Sequence, residues 1–482
     1  MNVVRSGLSK ASKGFSRAFW VANWVEMLER VAYYAVFIVL TIYLSNVWGF
    51  SDGEAGIISG LFSAMLYFLP TFSGAYADKI GFRSAILLAF SLLTFGYLGL
   101  GLLPTFLQSA GLVEYGFGNG TGSIFSNYLS GTEFVNYGTE TVFNGLEHSS
   151  LRWTIAPVLL LIVIGGSFIK AVISGTVARE TNKSNRARGY SVFYMMVNIG
   201  AFTGKTVVDP LRKALGDFGL VYLNYFAALM IFIALVAVYF MYKSVQTQGE
   251  GKTFKEIFHA LGNVCRNTRL IVLILIVSGF WMVQHQLYAT MPKYVLRMVG
   301  EGASPGWYAN VNPLVVVICV NFITSLMKKQ KAIHSIIIGM FIIPFSALIM
   351  AMGNLTGDNY IMGLHPIAFM MILGIVFQAL AECFISPRYL EYFSLQSPKG
   401  EEGLYLGFSH LHSFISSIIA FSASGFLLEK YCPDPRIFKG GINSPEFVAA
   451  TAHAHYIWFF FAGIGIISAI ALVIYSRFFR EK

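Results

Sequence analysis

The segment Trp24-Val25-Glu26-Met27-Leu28-Glu29-Arg30-Val31-Ala32-Tyr33-Tyr34 decides how the rest of the chain is read. It lies within residues 19–47, a run that is otherwise apolar and long enough to cross a bilayer, for which about 20 apolar residues suffice. A charge at the bilayer centre costs roughly 2.5–3.5 kcal/mol on insertion scales, so three together need a reason. Helical spacing of three and four brings Glu26, Glu29 and Arg30 to one face. Two carboxylates beside one guanidinium form a proton-sensitive unit, because protonating one acid loosens its hold on Arg30. The alternative is a static ion network that locks helix packing.

The run is one of many. Of 482 residues, 56% are hydrophobic and 12% charged, against about 25% charged in soluble chains. Such a chain cannot cover a soluble surface, which predicts an all-α polytopic membrane protein. Twelve transmembrane helices are expected at 19–47, 54–77, 83–103, 153–178, 188–210, 218–242, 269–292, 305–327, 332–352, 364–387, 402–428 and 454–476. The polar stretch 243–268, with an amphipathic segment around Phe254–Val264, divides them six and six. It links an N-terminal bundle (1–242) to a C-terminal bundle (269–482), and the longest loop is 104–152. Between such halves a solute site is expected near the midplane.

Charge sets the orientation. Of 34 Lys and Arg residues, 23 fall in segments on the side of the N-terminus, eight on the other side and three within spans. The positive-inside rule therefore places both termini in the cytoplasm. The net charge of +10 reflects orientation and implies no nucleic-acid partner. The four cysteines are scattered, without metal or disulfide spacing. No H-E-x-x-H or G-x-S-x-G stands in the chain, so no enzyme, cofactor or metal site is expected.

Besides Glu26, Glu29 and Arg30, the spans contain Lys170, Lys205 and Glu382. Lys205 and Asp209, four apart, read as a structural or gating pair. Asp78 can cap a helix start and pair with Lys79, Arg83 or a facing helix end. His285 can take a proton near neutrality, whereas His410 and His412 read as structural.

Several stretches resemble the proton-dependent oligopeptide transporter (POT) family of the major facilitator superfamily. The first is E-x-x-E-R-x-x-Y-Y at Glu26–Tyr34. Gly74-Ala75-Tyr76-Ala77-Asp78-Lys79-Ile80-Gly81-Phe82-Arg83 is similar to the superfamily's loop motif. Phe193-Tyr194-Met195-Met196-Val197-Asn198-Ile199-Gly200, Ala381-Glu382-Cys383-Phe384-Ile385-Ser386-Pro387 and Asn312-Pro313 resemble further signatures, spread over both halves. The resemblance implies roles residue by residue. Glu26, Glu29, Arg30 and Lys170 would couple protons, joined by His285. Arg30, Tyr34, Tyr67, Lys170, Asn198, Asn312 and Glu382 would bind solute, Glu382 holding an amino group. Asp78, Lys79, Arg83, Lys205 and Asp209 would serve gating. The sequence departs from the family at four places, one being that the two-helix insertion usual between the halves of bacterial members is missing. Phe37 stands where a second arginine or another polar residue is usual. His285 replaces the acid of the seventh helix in Phe280-Trp281-Met282-Val283-Gln284-His285-Gln286. Leu406-Gly407-Phe408-Ser409-His410 lacks a tryptophan.

The implied function is proton-coupled symport, importing small peptides or peptide-like solutes by alternating access. A modified peptide, amino acid derivative or organic anion is the alternative solute, and a membrane sensor or polytopic enzyme the less favoured class. A bacterial inner-membrane location and action as a monomer are expected, with the solute, protons and the lipid bilayer as partners.

Overall fold

The computed structural model describes residues 14–112, 116–117, 120–121, 150–181, 186–243, 253–357, 360–396 and 408–479. Helices dominate. The first span is α1 (Arg17–Phe37) and α2 (Leu40–Asn46), bent by 46°, and the second is α3 (Asp52–Phe68) and α4 (Pro70–Ile80), bent by 42°. Ser16 caps α1 by accepting from the Phe19 amide, and Ser51 with Glu54 forms a capping box at α3. Pro70, which carries no amide hydrogen, sits at the second break.

The N-terminal half continues with α5 (Phe82–Ser109), α6 (Ile155–Arg179), α7 (Arg186–Leu215) and α8 (Asp217–Met241). A two-residue antiparallel hairpin, β1 (Gly116–Phe117) with β2 (Gly120–Thr121), follows α5. The amphipathic segment is α9 (Phe254–Arg266), whose Phe258 ring lies 5.3 Å from that of Phe72.

In the C-terminal half the seventh span is broken into α10 (Thr268–Gln284), α11 (Gln286–Ala289) and α12 (Met291–Val299). The eighth is α13 (Pro305–Ala309) and α14 (Val311–Met327). Then come α15 (Ala332–Met352), α16 (Pro366–Gln396), α17 (Leu411–Tyr431), α18 (Pro445–Thr451) and α19 (Tyr456–Phe478).

Among the described residues nine helices are long and apolar enough to cross a membrane, or eleven when each bent pair counts as one span. The remaining segment of the expected twelve is α7. It holds Lys205, Asp209, Arg212 and Lys213, and these four contact the other half of the molecule. Three boundaries are corrected. Helix α5 runs through Pro104 to Ser109, so the long loop begins later than residue 104. Helices α7 and α16 likewise run through Pro210 and Pro387. A proline inside a membrane helix is tolerated where neighbouring helices satisfy the freed carbonyl. The expected start of span eleven, 402–407, lies outside the described residues.

The halves meet most closely where α3 packs on α17. A Cβ at Gly56 would collide with the Phe421 carbonyl, and one at Gly425 with the Asp52 carbonyl. Only glycine allows these backbones to touch.

Candidate functional site

Helix direction defines two ends. Asp52, Arg152 and Arg297 mark one, and Ile80, Arg83 and Arg186 the other. A cavity of about 910 Å³ lies between the halves, walled by α7, α14 and α16. It extends from Phe202, Pro313 and Glu382 toward Ser191, Thr324 and Leu390 at the Arg83 end. Its wall is mainly apolar, and its one carboxylate is Glu382.

Of the expected solute ligands, Asn198 and Glu382 line this cavity, and Asn312 reaches it through Glu382. The Glu382 carboxylate accepts from Gln284 Nε2 at 3.0 Å and from Asn312 Nδ2 at 3.2 Å. Gln284 was not singled out by the sequence, although it stands beside His285. The Asn198 amide donates to its own helix, at Tyr194 O, 2.8 Å. Arg30, Tyr34, Tyr67 and Lys170 lie outside the cavity wall in this conformation.

The three charges of α1 do meet. Arg30 Nε is 3.0 Å from Glu26 Oε1 and 2.6 Å from Glu29 Oε2, and all three side chains are buried. Lys170, on α6, is a further mid-span cation of this half. Its Nζ donates to Leu66 O at 3.1 Å and lies 3.9 Å from the centre of the Tyr67 ring. Four ionisable groups thus share one dry region of the N-terminal half.

From there an aromatic and histidine band crosses to the other half. Tyr67 stacks on His410 at 6.3 Å, and Trp281 lies flat on His412 at 5.2 Å. His285 Nε2 is 3.3 Å from Ser417 Oγ, which is 3.0 Å from Ser63 Oγ on α3. Phe37, at the position where the family usually has an arginine or another polar residue, packs against Tyr33, Phe62, Tyr288 and Phe421 at 5.0–6.2 Å. It fills the centre with hydrocarbon where an arginine would have brought a charge.

Two expected gating groups look different. Lys205 and Asp209 do not pair with each other. Asp209 accepts from the Trp307 amide at 2.9 Å, and Lys205 donates to Ala309 O at 3.3 Å. Backbone groups of α13 outcompete the i,i+4 partner, so each residue ties α7 to the opposite half. Arg83 donates to Tyr239 O at 2.9 Å and Tyr242 O at 3.2 Å. It satisfies carbonyls at the end of α8, within its own half. Lys79 is exposed in the last turn of α4, and the side chain of Asp78 lies outside what the structure describes.

The Asp52 end carries a network that the sequence reading missed. Asp52 meets Lys293 Nζ at 2.5 Å and Arg297 Nη1 at 2.5 Å. Arg297 continues to Asp434 at 3.5 Å, Asp434 to Arg436 at 2.7 Å, and Arg436 to Asp217 at 3.4 Å. Glu301 closes on Arg212, and Glu429 accepts from the Gly53 amide at 2.7 Å. Asp52, Gly53, Arg212 and Asp217 belong to the first half, the others to the second. The i,i+4 spacing of Lys293 and Arg297 was the one available signal. The molecule is therefore clamped at the Asp52 end, while its cavity extends toward the Arg83 end.

Comparison with known proteins agrees with this architecture. The family model described as Major Facilitator Superfamily matches residues 27–364. Dipeptide and tripeptide permease B of Shigella dysenteriae serotype 1 is 25% identical over 448 residues, covering 85% of this chain and 86% of that protein. Dipeptide and tripeptide permease A of Proteus mirabilis is 19% identical over 463 residues, covering 84% and 85%. Among solved structures, a POT family transporter in complex with 5-aminolevulinic acid superposes with a TM-score of 0.70 at 17% identity, covering 98% of each chain. A POT family transporter crystallised in meso gives 0.67 at 18% identity, covering 96% and 98%. These relatives are transporters, not enzymes, and they repeat the likeness read from the motifs. A clamp at one end, a cavity between two six-helix halves and a matching family model over most of the sequence lead to one conclusion: the chain is an integral membrane protein that belongs to the Major Facilitator Superfamily.

Proposed function

We propose that the protein is a proton-coupled symporter that imports small peptides or peptide-like solutes by alternating access. The observation that carries this reading is a one-sided cavity between the halves with Glu382 in its wall. The charge asymmetry of the loops makes the Arg83 end cytoplasmic, with both termini there. The conformation is then inward-facing, its outer side shut by the Asp52 network. The relatives' names supply the solute class, and their bacterial sources suggest a bacterial inner membrane. One chain holds the complete path, so a monomer suffices.

In this mechanism a solute and a proton enter from outside when the Asp52 network is open. The amine of the solute takes the charge of Glu382, with Asn198 and Asn312 offering amide groups. A proton on Glu29 or Glu26 releases Arg30 from one acid. Arg30 and Lys170, once less tightly held, are free to turn toward the solute, with Tyr34 and Tyr67 beside them. His285, joined to Ser417, is a further proton carrier at the seam. Lys205 and Asp209 fasten α7 to the half it has to move against, while Arg83 holds the ends of α5 and α8 together so that they move as one.

A second reading keeps the transporter and changes the solute to a modified peptide, amino acid derivative or organic anion. Phe37 and a cavity wall without Lys or Arg among the described residues favour a solute that does not depend on a second arginine.

Reconstituted vesicles test the proposal. Uptake of a labelled dipeptide is expected to rise with an inward proton gradient and to collapse with an uncoupler. Uptake indifferent to the gradient would refute coupling. A thermal-shift panel at two pH values separates the solutes: stabilisation by di- or tripeptides supports the first reading, and stabilisation only by another solute class the second.

A further inference from the structure

Away from the ends of the spans, the N-terminal half holds two acids, Glu26 and Glu29, and three bases, Arg30, Lys170 and Lys205. Arg30 and Lys170 share the dry region of the two acids, and Arg30 pairs with both. Lys205 is the surplus cation. The C-terminal half holds one mid-span acid, Glu382.

Lys205 is enclosed by aromatic rings and backbone. Its side chain is 1% exposed. Nζ lies 5.1 Å from the centre of the Tyr34 ring and 5.5 Å from that of Tyr288, with the rings 6.2 Å apart. It donates to Ala309 O at 3.3 Å. Among the described residues no carboxylate closes on it as an ion pair; its acceptor Ala309 stands three residues before Asn312, which donates to Glu382. Glu382, for its part, is held by the neutral amides of Gln284 and Asn312 and makes no ion pair among the described residues. Aromatic faces attract a desolvated ammonium through the ring quadrupole, and the same arrangement recognises ligand ammonium groups.

We propose that Tyr34, Tyr288 and the Ala309 carbonyl form an ammonium cage in which Lys205 is a tethered occupant, and that a primary ammonium on the transported solute competes with Lys205 for the charge of Glu382. The competition rests on the reading that Glu382 receives a solute amine; the cage does not. An N-acylated solute, lacking the ammonium, does not compete. Because Lys205 belongs to one half and Ala309 to the other, displacing it also undoes a link between halves. Solute arrival is thereby coupled to loosening of the seam.

Lys205→Ala removes the atoms of n-propylammonium and leaves their space. In purified protein, n-propylammonium chloride is expected to raise the unfolding midpoint of Lys205→Ala saturably, relative to equal sodium chloride. Wild type is expected not to respond, nor Lys205→Ala combined with Tyr288→Leu. Equal responses in wild type and Lys205→Ala, or no response in either, overturn the cage. Lys205→Met, which keeps the bulk and drops the charge, tests the competition. Its affinity for a dipeptide with a free amine should tighten about tenfold, the lower range for a close charge pair, with no gain for the N-acetylated dipeptide. Unchanged affinity overturns the competition. If no solute binds even wild type while rescue is intact, the competition and the reading of Glu382 fail together, and the cage stands on the rescue.

Discussion

Two sets of six charges, each with three acids and three bases, lie in different regions of the molecule. The mid-membrane set is Glu26, Glu29, Glu382, Arg30, Lys170 and Lys205. The set at the Asp52 end is Asp52, Asp217, Asp434, Lys293, Arg297 and Arg436. At the Asp52 end the ions join in an unbroken chain, each contact 2.5–3.5 Å, running across both halves. In the mid-membrane set, direct ion contacts among the described residues stay on one helix, at Glu26, Glu29 and Arg30. Glu382 is held by two neutral amides, and Lys205 by a backbone carbonyl and two tyrosine rings. A chain of close ion pairs suits a clamp, since breaking any link leaves a charge stranded. A set with loosely matched members suits exchange, since a proton or a solute ammonium can enter it without unmaking the fold.

The largest expected effect comes from the mid-membrane set. Glu29→Gln removes one of the two acids holding Arg30 and should abolish gradient-driven uptake while counterflow persists, measured in vesicles with and without an imposed gradient. Retained driven uptake would place coupling elsewhere. Next is Glu382→Gln. Removing one partner of a buried charge interaction costs 2–5 kcal/mol or more, so affinity for an amine-bearing solute should fall by about thirtyfold or more by calorimetry.

Asp52→Asn tests the clamp. Among the described residues it leaves Lys293 without an ion-pair partner and Arg297 with Asp434 alone in a buried site, a loss of about 3–5 kcal/mol when one partner is removed. The expected result is a shift toward the conformation open at the Asp52 end, read as faster thiol labelling of Phe426→Cys. Gly56→Val should act in the same direction by driving a side chain into the Phe421 backbone. Smallest is Arg83→Gln, which loses hydrogen bonds to two carbonyls at the end of α8. A cost of about 1–2 kcal/mol in stability is expected, with uptake largely kept.

What the sequence made legible follows from distance along the chain. Glu26, Glu29 and Arg30 share a helix face, so spacing alone brings them together. Asp52 is separated by 241 and 245 residues from Lys293 and Arg297. No local pattern could join them, and they stood in segments read as span ends and loops. The fold was legible because apolar runs, charged breaks and loop charge asymmetry are all local signals. Spacing misled at Lys205 and Asp209, where the i,i+4 pairing gave way to the carbonyl of Ala309 and the amide of Trp307. Pro104 and Pro387 misled as helix stops, because in tightly packed membrane helices a missing amide bends the chain without ending it. Gln284 and Ser417 carry no charge, and their placement beside Glu382 and His285 is a property of the packed helices.

The most direct test of alternating access is a removable lock on the α3–α17 seam. Gly53 and Phe426 face each other there, the Phe426 ring lying 3.1 Å from where a Cβ on Gly53 would stand. A disulfide between Gly53→Cys and Phe426→Cys, with Cys265, Cys319, Cys383 and Cys432 replaced by alanine, would hold the Asp52 end shut. Proton-driven uptake in vesicles should then stop and return on reduction, while solute binding from the Arg83 end continues. Undiminished uptake with the disulfide formed would contradict a carrier whose Asp52 end has to open.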